Sequence, residues 1–272
     1  MRRSLLAVVA VLACSGSLAF GAEPVAGSPA WADTADVTEH LGGRLPLDLV
    51  FTDSTGARVP LRSLFDGVHP VLLVLAYYQC PQLCSLVLDG AVRAMHQLDS
   101  FGWHLGPRYR VATISFDANE RIDQAARKQT AVLAGLGRTD RSAWPFFIGD
   151  EASITALTNA LGFKFLRDPH TGTLAHTAVV FVISPTGMIS RYLYGTEYPA
   201  RDLKLALLEA SDGKTGTVGD KILLRCFHYD PATRRYGLFI SRFMKIGGLL
   251  IFLIAAAMIF TFARHEKRRR IA

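Results

Sequence analysis

The sequence predicts an α/β domain in which a mixed central sheet is flanked by helices, and three features of the chain support this fold class. Residues 71–75 form an unbroken apolar run that leads into an amphipathic segment at 85–101, as a buried strand followed by a helix does. Further apolar runs alternate with amphipathic segments as far as residue 161, which indicates parallel strands joined by helices. Residues 177–183 and 188–194 flank the sequence Ser-Pro-Thr-Gly, which favours a tight turn and an antiparallel hairpin.

The individual elements follow from the same patterns. Each expected strand is apolar and rich in β-branched residues, and each expected helix has apolar positions three and four residues apart. Asp53 and Gly56 supply a turn between two short segments ahead of the central strand. In chain order we expect a hairpin at 48–51 and 58–61, a strand at 71–75, helix 85–101, strand 109–116, helix 120–136, strand 144–148, helix 153–161, hairpin strands 177–183 and 188–194, and helix 201–210.

The helix at 85–101 is expected to place one apolar face on the sheet. The residues on this face recur at three- and four-residue steps from the end of the preceding loop. They are Leu83, Val87, Ala91, Ala94, Met95, Leu98 and Phe101. His96 falls on the opposite face, so we interpret it as a surface residue.

Both ends of the chain are expected to associate it with a membrane. Residues 1–22 have the charged start, apolar centre and small residues of a secretory signal peptide. Cys14 lies in a segment that loosely resembles a lipoprotein signal, in which this cysteine would be lipidated. Residues 246–263 carry no charge over eighteen positions, and such a helix can cross the hydrocarbon layer of about 30 Å. The basic tail at 264–272 then stays cytoplasmic, which places the domain on the extracytoplasmic side of a bacterial inner membrane.

The positive charge belongs mainly to the ends of the chain. The net charge is +7, of which the tail at 264–272 carries +4 and the N-terminal arginines +2, so the other residues together carry +1. A domain this close to neutral lacks the basic surface that nucleic-acid binding needs. We expect a linker at 23–45, the domain at 46–212 and a juxtamembrane segment at 213–245.

Cys80 and Cys84 stand where the central strand passes into the following helix. A thiol at the start of a helix lies beside unpaired N–H groups and the positive end of the helix dipole, which favour the thiolate that attacks disulfides and binds soft metals. A disulfide between residues four apart would close a very short loop and constrain the unfolded chain little. We therefore interpret the pair as reactive rather than purely structural.

His176 is the expected third member of this site. A parallel half with a cysteine pair at its first strand-to-helix junction, followed by a ββα half, is the order of a thioredoxin-like fold. Such oxidoreductases normally carry a cis-proline just before the second half, and this chain has His176 there. Two thiolates and an imidazole can converge trigonally on copper, with sulfur selecting Cu(I) and nitrogen also tolerating Cu(II); zinc would need a fourth ligand. The competing His170 precedes a Thr-Gly turn, and we interpret it as a surface loop residue.

Three motifs together resemble the Sco/SenC family over roughly residues 46–212. They are Cys80-Pro81-x-x-Cys84 after an apolar strand, Ser115-Phe116-Asp117 at the end of the next strand, and Ala175-His176-Thr177 before the hairpin. The resemblance implies a membrane-anchored protein that binds copper through the two cysteines and the histidine. It also implies a role in assembling the binuclear copper centre of cytochrome c oxidase subunit II, by delivering copper or by reducing that subunit's cysteine pair.

The chain departs from the family pattern in three places. The expected anchor is C-terminal, whereas many members have an N-terminal one. Ala118 follows Asp117 where proline is common, and Ala175 precedes His176 where an acidic residue is usual. Because partners of a ligating histidine set its tautomer, the last change leaves the orientation of this imidazole open.

Cys226 and His228 form a second, separate candidate. They lie shortly before the expected membrane span, where they are either an auxiliary soft-metal site or an inert, packed pair, because two ligands do not complete a coordination sphere.

Two other function classes stay open beside the copper metallochaperone. One is a thiol-disulfide oxidoreductase that reduces cysteines of a partner protein, so enzymatic activity is left undecided; the other is a copper or redox sensor. A thiol peroxidase is disfavoured, because Tyr77 stands where such enzymes usually place threonine. The expected partners are cytochrome c oxidase subunit II or another copper-accepting membrane protein, and membrane lipid through the C-terminal helix.

Overall fold

The structure, a computed structural model, describes residues 36–80, 83–167, 172–212 and 253, and the backbone of 227–230 and 235–238. The strands are β1 (Val50–Asp53), β2 (Arg58–Pro60), β3 (Val71–Ala76), β4 (Arg110–Ser115), β5 (Phe146–Ile148), β6 (Phe165–Arg167), β7 (Leu174–His176), β8 (Val179–Ile183), β9 (Ile189–Tyr194), β10 (Phe227–Asp230) and β11 (Arg235–Leu238). The helices are α1 (Leu83–Ser100), α2 (Ile122–Gly135), α3 (Glu151–Ala160) and α4 (Ala200–Ala210).

Seven strands form one mixed sheet in the order β2-β1-β5-β4-β3-β8-β9. β3, β4 and β5 are parallel to one another, while β8 runs antiparallel to β3 and β9 antiparallel to β8. Every residue of β3 is at most 2% exposed, as expected of an unbroken apolar strand covered on both faces. The predicted mixed sheet flanked by helices is confirmed, and it fits a thioredoxin-like fold.

The predicted turns form where their residues require them. One carboxylate oxygen of Asp53 accepts hydrogen bonds from the backbone N–H groups of Thr55 and Ala57 at 2.8 and 2.9 Å, which closes the β1–β2 hairpin. The β8–β9 hairpin turns at Gly187, which has a φ of +84° and whose N–H donates to the Ser184 carbonyl at 3.0 Å. Both hairpins keep the antiparallel pairing that the sequence indicates.

Helix α1 packs closely on the second half of the domain, where it contacts α4. Gly90 lies at the tightest approach: a Cβ at this position would come 2.0 Å from the carbonyl oxygen of Thr196. The predicted apolar face of α1 is largely confirmed, and His96 is exposed as expected. Phe101 is a correction, because α1 ends at Ser100 and the Phe101 side chain is 61% exposed.

A second difference concerns the residues ahead of β8. Instead of entering the hairpin directly, the chain forms a short antiparallel ribbon of β6 and β7, in which His176 pairs with Phe165. β8 consequently starts at Val179 rather than at residue 177. This ribbon positions the candidate histidine.

The described part of the expected linker, residues 36–45, lies against the domain. Val37 and Leu45 are buried in the core, and the N–H of Thr38 donates to the carbonyl of Gly162 at 2.9 Å. These apolar residues gain from burial, so the chain packs on the domain before β1 begins.

Several expectations fall outside the described residues. They are the signal peptide at 1–22 with Cys14, His170, most of the juxtamembrane segment, the tail at 264–272 and, except for residue 253, the span at 246–263. Within the described residues, no helix combines the length and the apolar character that crossing a bilayer requires.

Candidate metal centre

Cys80 and Cys84 lie where β3 passes into α1, as predicted. β3 ends at Ala76, and the N–H of Cys80 donates to the Tyr77 carbonyl at 3.2 Å, which forms a turn before the first cysteine. Cys84 is the second residue of α1. Cys80 is 9% exposed and Cys84 is fully buried, so of the two cysteines Cys80 is the one that reagents and partner proteins can reach.

The two cysteines differ in their electrostatics. The backbone N–H of Cys84 donates to Sγ of Cys80 at 3.3 Å, a contact that stabilises negative charge on that sulfur. The pKa of the Cys84 thiol is instead well above its usual value, because it is hydrogen-bonded to Cys80 and buried; the positive charge of Lys128 opposes this shift without cancelling it. The expectation that the helix start favours the thiolate is therefore wrong for Cys84 in the metal-free chain.

His176 faces this pair from the end of β7. Its Nε2 atom lies 3.4 Å from Sγ of Cys84, and its Nδ1 atom lies 3.1 Å from the carbonyl oxygen of Thr177. Because a carbonyl can only accept a hydrogen bond, Nδ1 carries the proton and Nε2 presents its lone pair to the cysteine. Burial lowers the pKa of His176, against the opposing effects of Thr177 and Cys80. Burial thus favours the neutral imidazole, in the tautomer that leaves Nε2 free to bind a metal.

Three aromatic rings surround the imidazole, and sequence reasoning identified none of them as part of the site. Ring centroids lie 4.9 Å from His176 for Phe116, 5.9 Å for Phe163 and 6.3 Å for Tyr77. These rings, which we call the aromatic wall, shield His176 from water; Phe116 and Tyr77 contact the imidazole edge-on and Phe163 in a tilted arrangement. Phe116 belongs to a quoted motif, but the sequence carries no signal that Phe163 would lie here.

Tyr77 also contacts the cysteines directly. Burial and a hydrogen bond with Cys80 raise the pKa of its hydroxyl above the usual value. Tyr77 therefore places a hydroxyl group beside Cys80, the more exposed of the two cysteines.

A buried carboxylate holds the loop that carries Cys80. Glu120 is 6% exposed and accepts hydrogen bonds from the backbone N–H groups of Tyr78 and, at 2.9 Å, Gln79. Its second oxygen accepts from the Ser115 hydroxyl at 2.6 Å. Burial raises the pKa of Glu120, although these three hydrogen bonds oppose the shift. Glu120 therefore fastens the Cys80 loop to the end of β4.

A second ionic contact fastens the ribbon that carries His176. Arg167 of β6 donates to the carboxylate of Asp117 at 2.8 Å and to the carbonyl of Gly172 at 3.0 Å. Asp117 lies two residues beyond the end of β4, so the strand end that anchors the Cys80 loop also anchors the histidine ribbon. Asp117 belonged to a quoted motif, whereas Arg167 was not identified from the sequence.

The three candidate ligands adjoin one another without forming a finished metal site. In the part of the chain that the structure describes, no three His, Cys, Asp or Glu side chains are already arranged to hold a metal ion. Of the auxiliary pair, Cys226 lies outside the described residues, and the backbone of His228 lies in β10 opposite Gly237.

The mixed sheet, with a cysteine pair at the junction of its central strand and a histidine facing that pair, defines a thioredoxin-like protein with a modified dithiol site. The SCO1/SenC family model matches residues 47–207, which is more than half of the chain. The chain therefore belongs to the SCO1/SenC family. No curated protein sequence gives a significant match.

Solved structures with the same fold include a candidate electron transfer protein from Aquifex aeolicus VF5, at 25% identity and a TM-score of 0.55 over 63% of this chain and 95% of that chain. The Arabidopsis thaliana ScoI with copper bound is similar at 15% identity and a TM-score of 0.48, covering 67% of this chain and 99% of that chain. The Bradyrhizobium japonicum ScoI with copper bound has 22% identity and a TM-score of 0.42, covering 64% and 97%.

Proposed function

We propose that this chain is a membrane-anchored, extracytoplasmic copper metallochaperone that assists assembly of the binuclear copper centre of cytochrome c oxidase, with Cys80, Cys84 and His176 as the copper ligands. The observation that carries this proposal is the 3.4 Å separation between Nε2 of His176 and Sγ of Cys84. Membership of the SCO1/SenC family supports it, as does the tautomer fixed by Thr177.

The donor set suits copper in both oxidation states. Cysteine sulfur is a soft ligand that selects Cu(I), and a neutral imidazole also accommodates Cu(II). In zinc sites, bonds of about 2.3 Å to sulfur and about 2.0 Å to nitrogen place two ligand atoms of one ion about 3.5–3.8 Å apart, and we take this spacing as a guide for copper. The observed Cys84–His176 separation of 3.4 Å is therefore close to the separation that a shared ion requires.

The surrounding residues divide the work of the site. Cys84 is buried and His176 is half-buried between α1 and the aromatic wall, so both can hold the ion where the access of water is restricted. Cys80 is the more exposed of the two cysteines, so a ligand of the recipient protein can replace its sulfur before that of Cys84. Because Glu120 and Arg167 fix both halves of the site, exchange of one ligand leaves the other two in place.

The proposal includes the expected location and partners. The signal peptide at 1–22, the span at 246–263 and the basic tail would hold the domain at 46–212 on the outer side of a bacterial inner membrane. The recipient would be cytochrome c oxidase subunit II or another copper-accepting membrane protein. Cys226 and His228 would be an auxiliary site near the lipid surface.

A thiol-disulfide oxidoreductase is the second candidate, and one contact favours it. The hydrogen bond from the Cys84 N–H to Sγ of Cys80 stabilises the thiolate that would attack a partner's disulfide, while the raised pKa of Cys84 keeps the second thiol protonated. In this function the pair would reduce the cysteines of the recipient so that they can accept metal.

Copper titration of the full chain in detergent, in a Cys226→Ser background, tests the proposal. We expect one copper ion per chain and a sulfur-to-Cu(II) charge-transfer band, both lost in His176→Ala and retained in the control His96→Ala, which alters an exposed histidine of α1. Unchanged copper binding in His176→Ala would remove this residue from the site. Turnover of a disulfide substrate without tight copper binding would favour the oxidoreductase.

A further inference from the structure

A groove of about 290 Å³ lies directly beside the Cys80 loop. One wall is formed by Tyr78 and Gln79, the two residues before Cys80, and the other by α2. The residues lining it are Tyr78, Gln79, Gln124, Arg127, Lys128 and Ala131. We call this feature the α2 groove.

The α2 groove is positively charged. Lys128 donates to the Ser85 hydroxyl at 3.2 Å, and among the described residues no carboxylate pairs with it. Arg127 is exposed and shares the carboxylate of Asp123 with Arg121, at 2.7 and 2.9 Å. Glu120, which contacts the groove residues Tyr78 and Gln79, is buried and already accepts three hydrogen bonds. The groove itself is lined by two positive residues, Arg127 and Lys128, and by no acidic residue.

Access to the cysteines leads past this groove. Cys80 is 9% exposed and Cys84 is fully buried, whereas Gln79 is exposed. Because Gln79 directly precedes Cys80 and lines the groove, a protein whose cysteine or metal ligand reaches Sγ of Cys80 comes close to the α2 groove. Lys128 is close enough for its charge to act on the Cys84 thiol, so a docked segment and the reacting sulfurs share one electrostatic environment.

We propose that the α2 groove binds an acidic segment of the recipient protein, next to the cysteines that exchange metal or electrons with Cys80 and Cys84. This inference rests on the proposed function only in requiring a protein partner at this dithiol, and it holds for copper delivery and for thiol reduction. Complementary charge at the groove orients the partner and raises its rate of productive encounter.

The test uses thiol-disulfide exchange with synthetic peptides. The reduced full chain, with Cys226→Ser, is mixed with a peptide that contains one internal disulfide flanked by three aspartates or, in the matched peptide, by three lysines. The dithiol of Cys80 and Cys84 becomes a disulfide, while the peptide disulfide takes up the two electrons and two protons and becomes a dithiol. The quantity compared between variants is the rate with the acidic peptide divided by the rate with the basic peptide. Any effect of a substitution on the reactivity of the thiols changes both rates equally and cancels in this ratio.

We expect the acidic peptide to react at least about threefold faster at low salt, and this preference to disappear in Arg127→Gln/Lys128→Gln. The control Arg58→Gln removes an exposed charge from edge strand β2 and should retain the preference. An unchanged ratio in the double variant would overturn the proposal. Two small disulfides, the anionic glutathione disulfide and the cationic cystamine, provide a further comparison. If glutathione disulfide reacted faster than cystamine by the same factor as the acidic peptide over the basic one, the proposal would be overturned, because the groove would then select a small anion. Copper titration of the double variant tests the metal site independently. Unchanged copper binding there would show that a change in peptide preference comes from the groove and not from a damaged metal site.

Discussion

Nε2 of His176 lies 3.4 Å from Sγ of Cys84, although the two residues are 92 positions apart in the chain. The contact joins the first turn of α1 to the end of β7, the second strand of the β6–β7 ribbon. Thr177 keeps the proton on Nδ1, so the imidazole offers a lone pair to the sulfur. The central claim of this account, a copper site of two cysteines and one histidine, depends on this geometry.

The two cysteines should differ in reactivity. Brief treatment with limiting iodoacetamide is expected to modify Cys80 before Cys84 by a factor of about ten or more, because Cys84 is fully buried and its pKa is raised. Fragmentation mass spectrometry of the peptide that contains both residues measures the ratio. Equal modification, or modification of Cys84 first, would contradict the assignment of Cys80 as the accessible sulfur.

Glu120→Ala should destabilise the chain by about 2–3 kcal/mol, because backbone N–H groups of Tyr78 and Gln79 lose their acceptor. Asp89→Ala, which alters an exposed residue of α1, is the matched control and should stay within about 0.5 kcal/mol of the wild type. Urea unfolding measures both. A cost as small as that of the control would show that Glu120 does not hold the Cys80 loop.

The same carboxylate should give stability a specific pH dependence. Burial raises the pKa of Glu120 above its ordinary value of 4.5, so the folded chain binds this proton more tightly than the unfolded chain does. Its contribution is therefore fully present below pH 4.5 and is lost as the pH rises through the folded pKa. The unfolding free energy of wild type minus that of Glu120→Gln should fall over this interval. A difference that stays constant with pH would contradict the shift.

The aromatic wall should control the protonation of His176. In metal-free protein, Phe116→Leu is expected to raise the pKa of His176 toward its ordinary value, because the lost ring admits water to the imidazole. Phe146→Leu removes an equally buried ring from β5 and should leave this pKa unchanged. NMR titration of the imidazole signals distinguishes the two variants. Identical titration of His176 in both would show that Phe116 does not exclude water.

The close packing of α1 predicts a difference between two helix glycines. Gly90→Ala should destabilise the chain by about 1–3 kcal/mol, because the new Cβ meets the backbone oxygen of Thr196 at 2.0 Å. Gly135→Ala places a Cβ 3.8 Å from the nearest side-chain atom, of Val92, so it should be neutral or stabilising by up to about 1 kcal/mol. Thermal unfolding of the two variants makes the comparison. If Gly90→Ala left the stability unchanged, α1 could not approach the Thr196 carbonyl as closely as the structure shows.

The sequence predicted the elements that have strong local signals. β3 is a continuous apolar strand, and α1 repeats apolar residues at helical spacing, so both could be identified without a structure. β6 and β7 could not, because each has only three residues and neither shows a usable periodicity. Phe101 was assigned to the buried face of α1 for a similar reason. The helical spacing of apolar residues continues to Phe101, although the helix ends at Ser100 and the Phe101 side chain is exposed.

The candidate site was predictable only in part, for a related reason. Cys80 and Cys84 form a local motif, and His176 follows from the order of the strands. Glu120 was expected to begin the helix that actually starts at Ile122. Its role as a buried acceptor depends on backbone groups more than 40 residues away, which no local pattern encodes.

X-ray absorption spectroscopy of the copper-loaded chain, in a Cys226→Ser background, tests the central claim most directly. The account predicts a Cu(I) coordination sphere of two sulfur atoms and one imidazole nitrogen, from which the nitrogen is lost in His176→Ala. A sphere of sulfur alone in the wild type, or an imidazole signal that persists in His176→Ala, would contradict it.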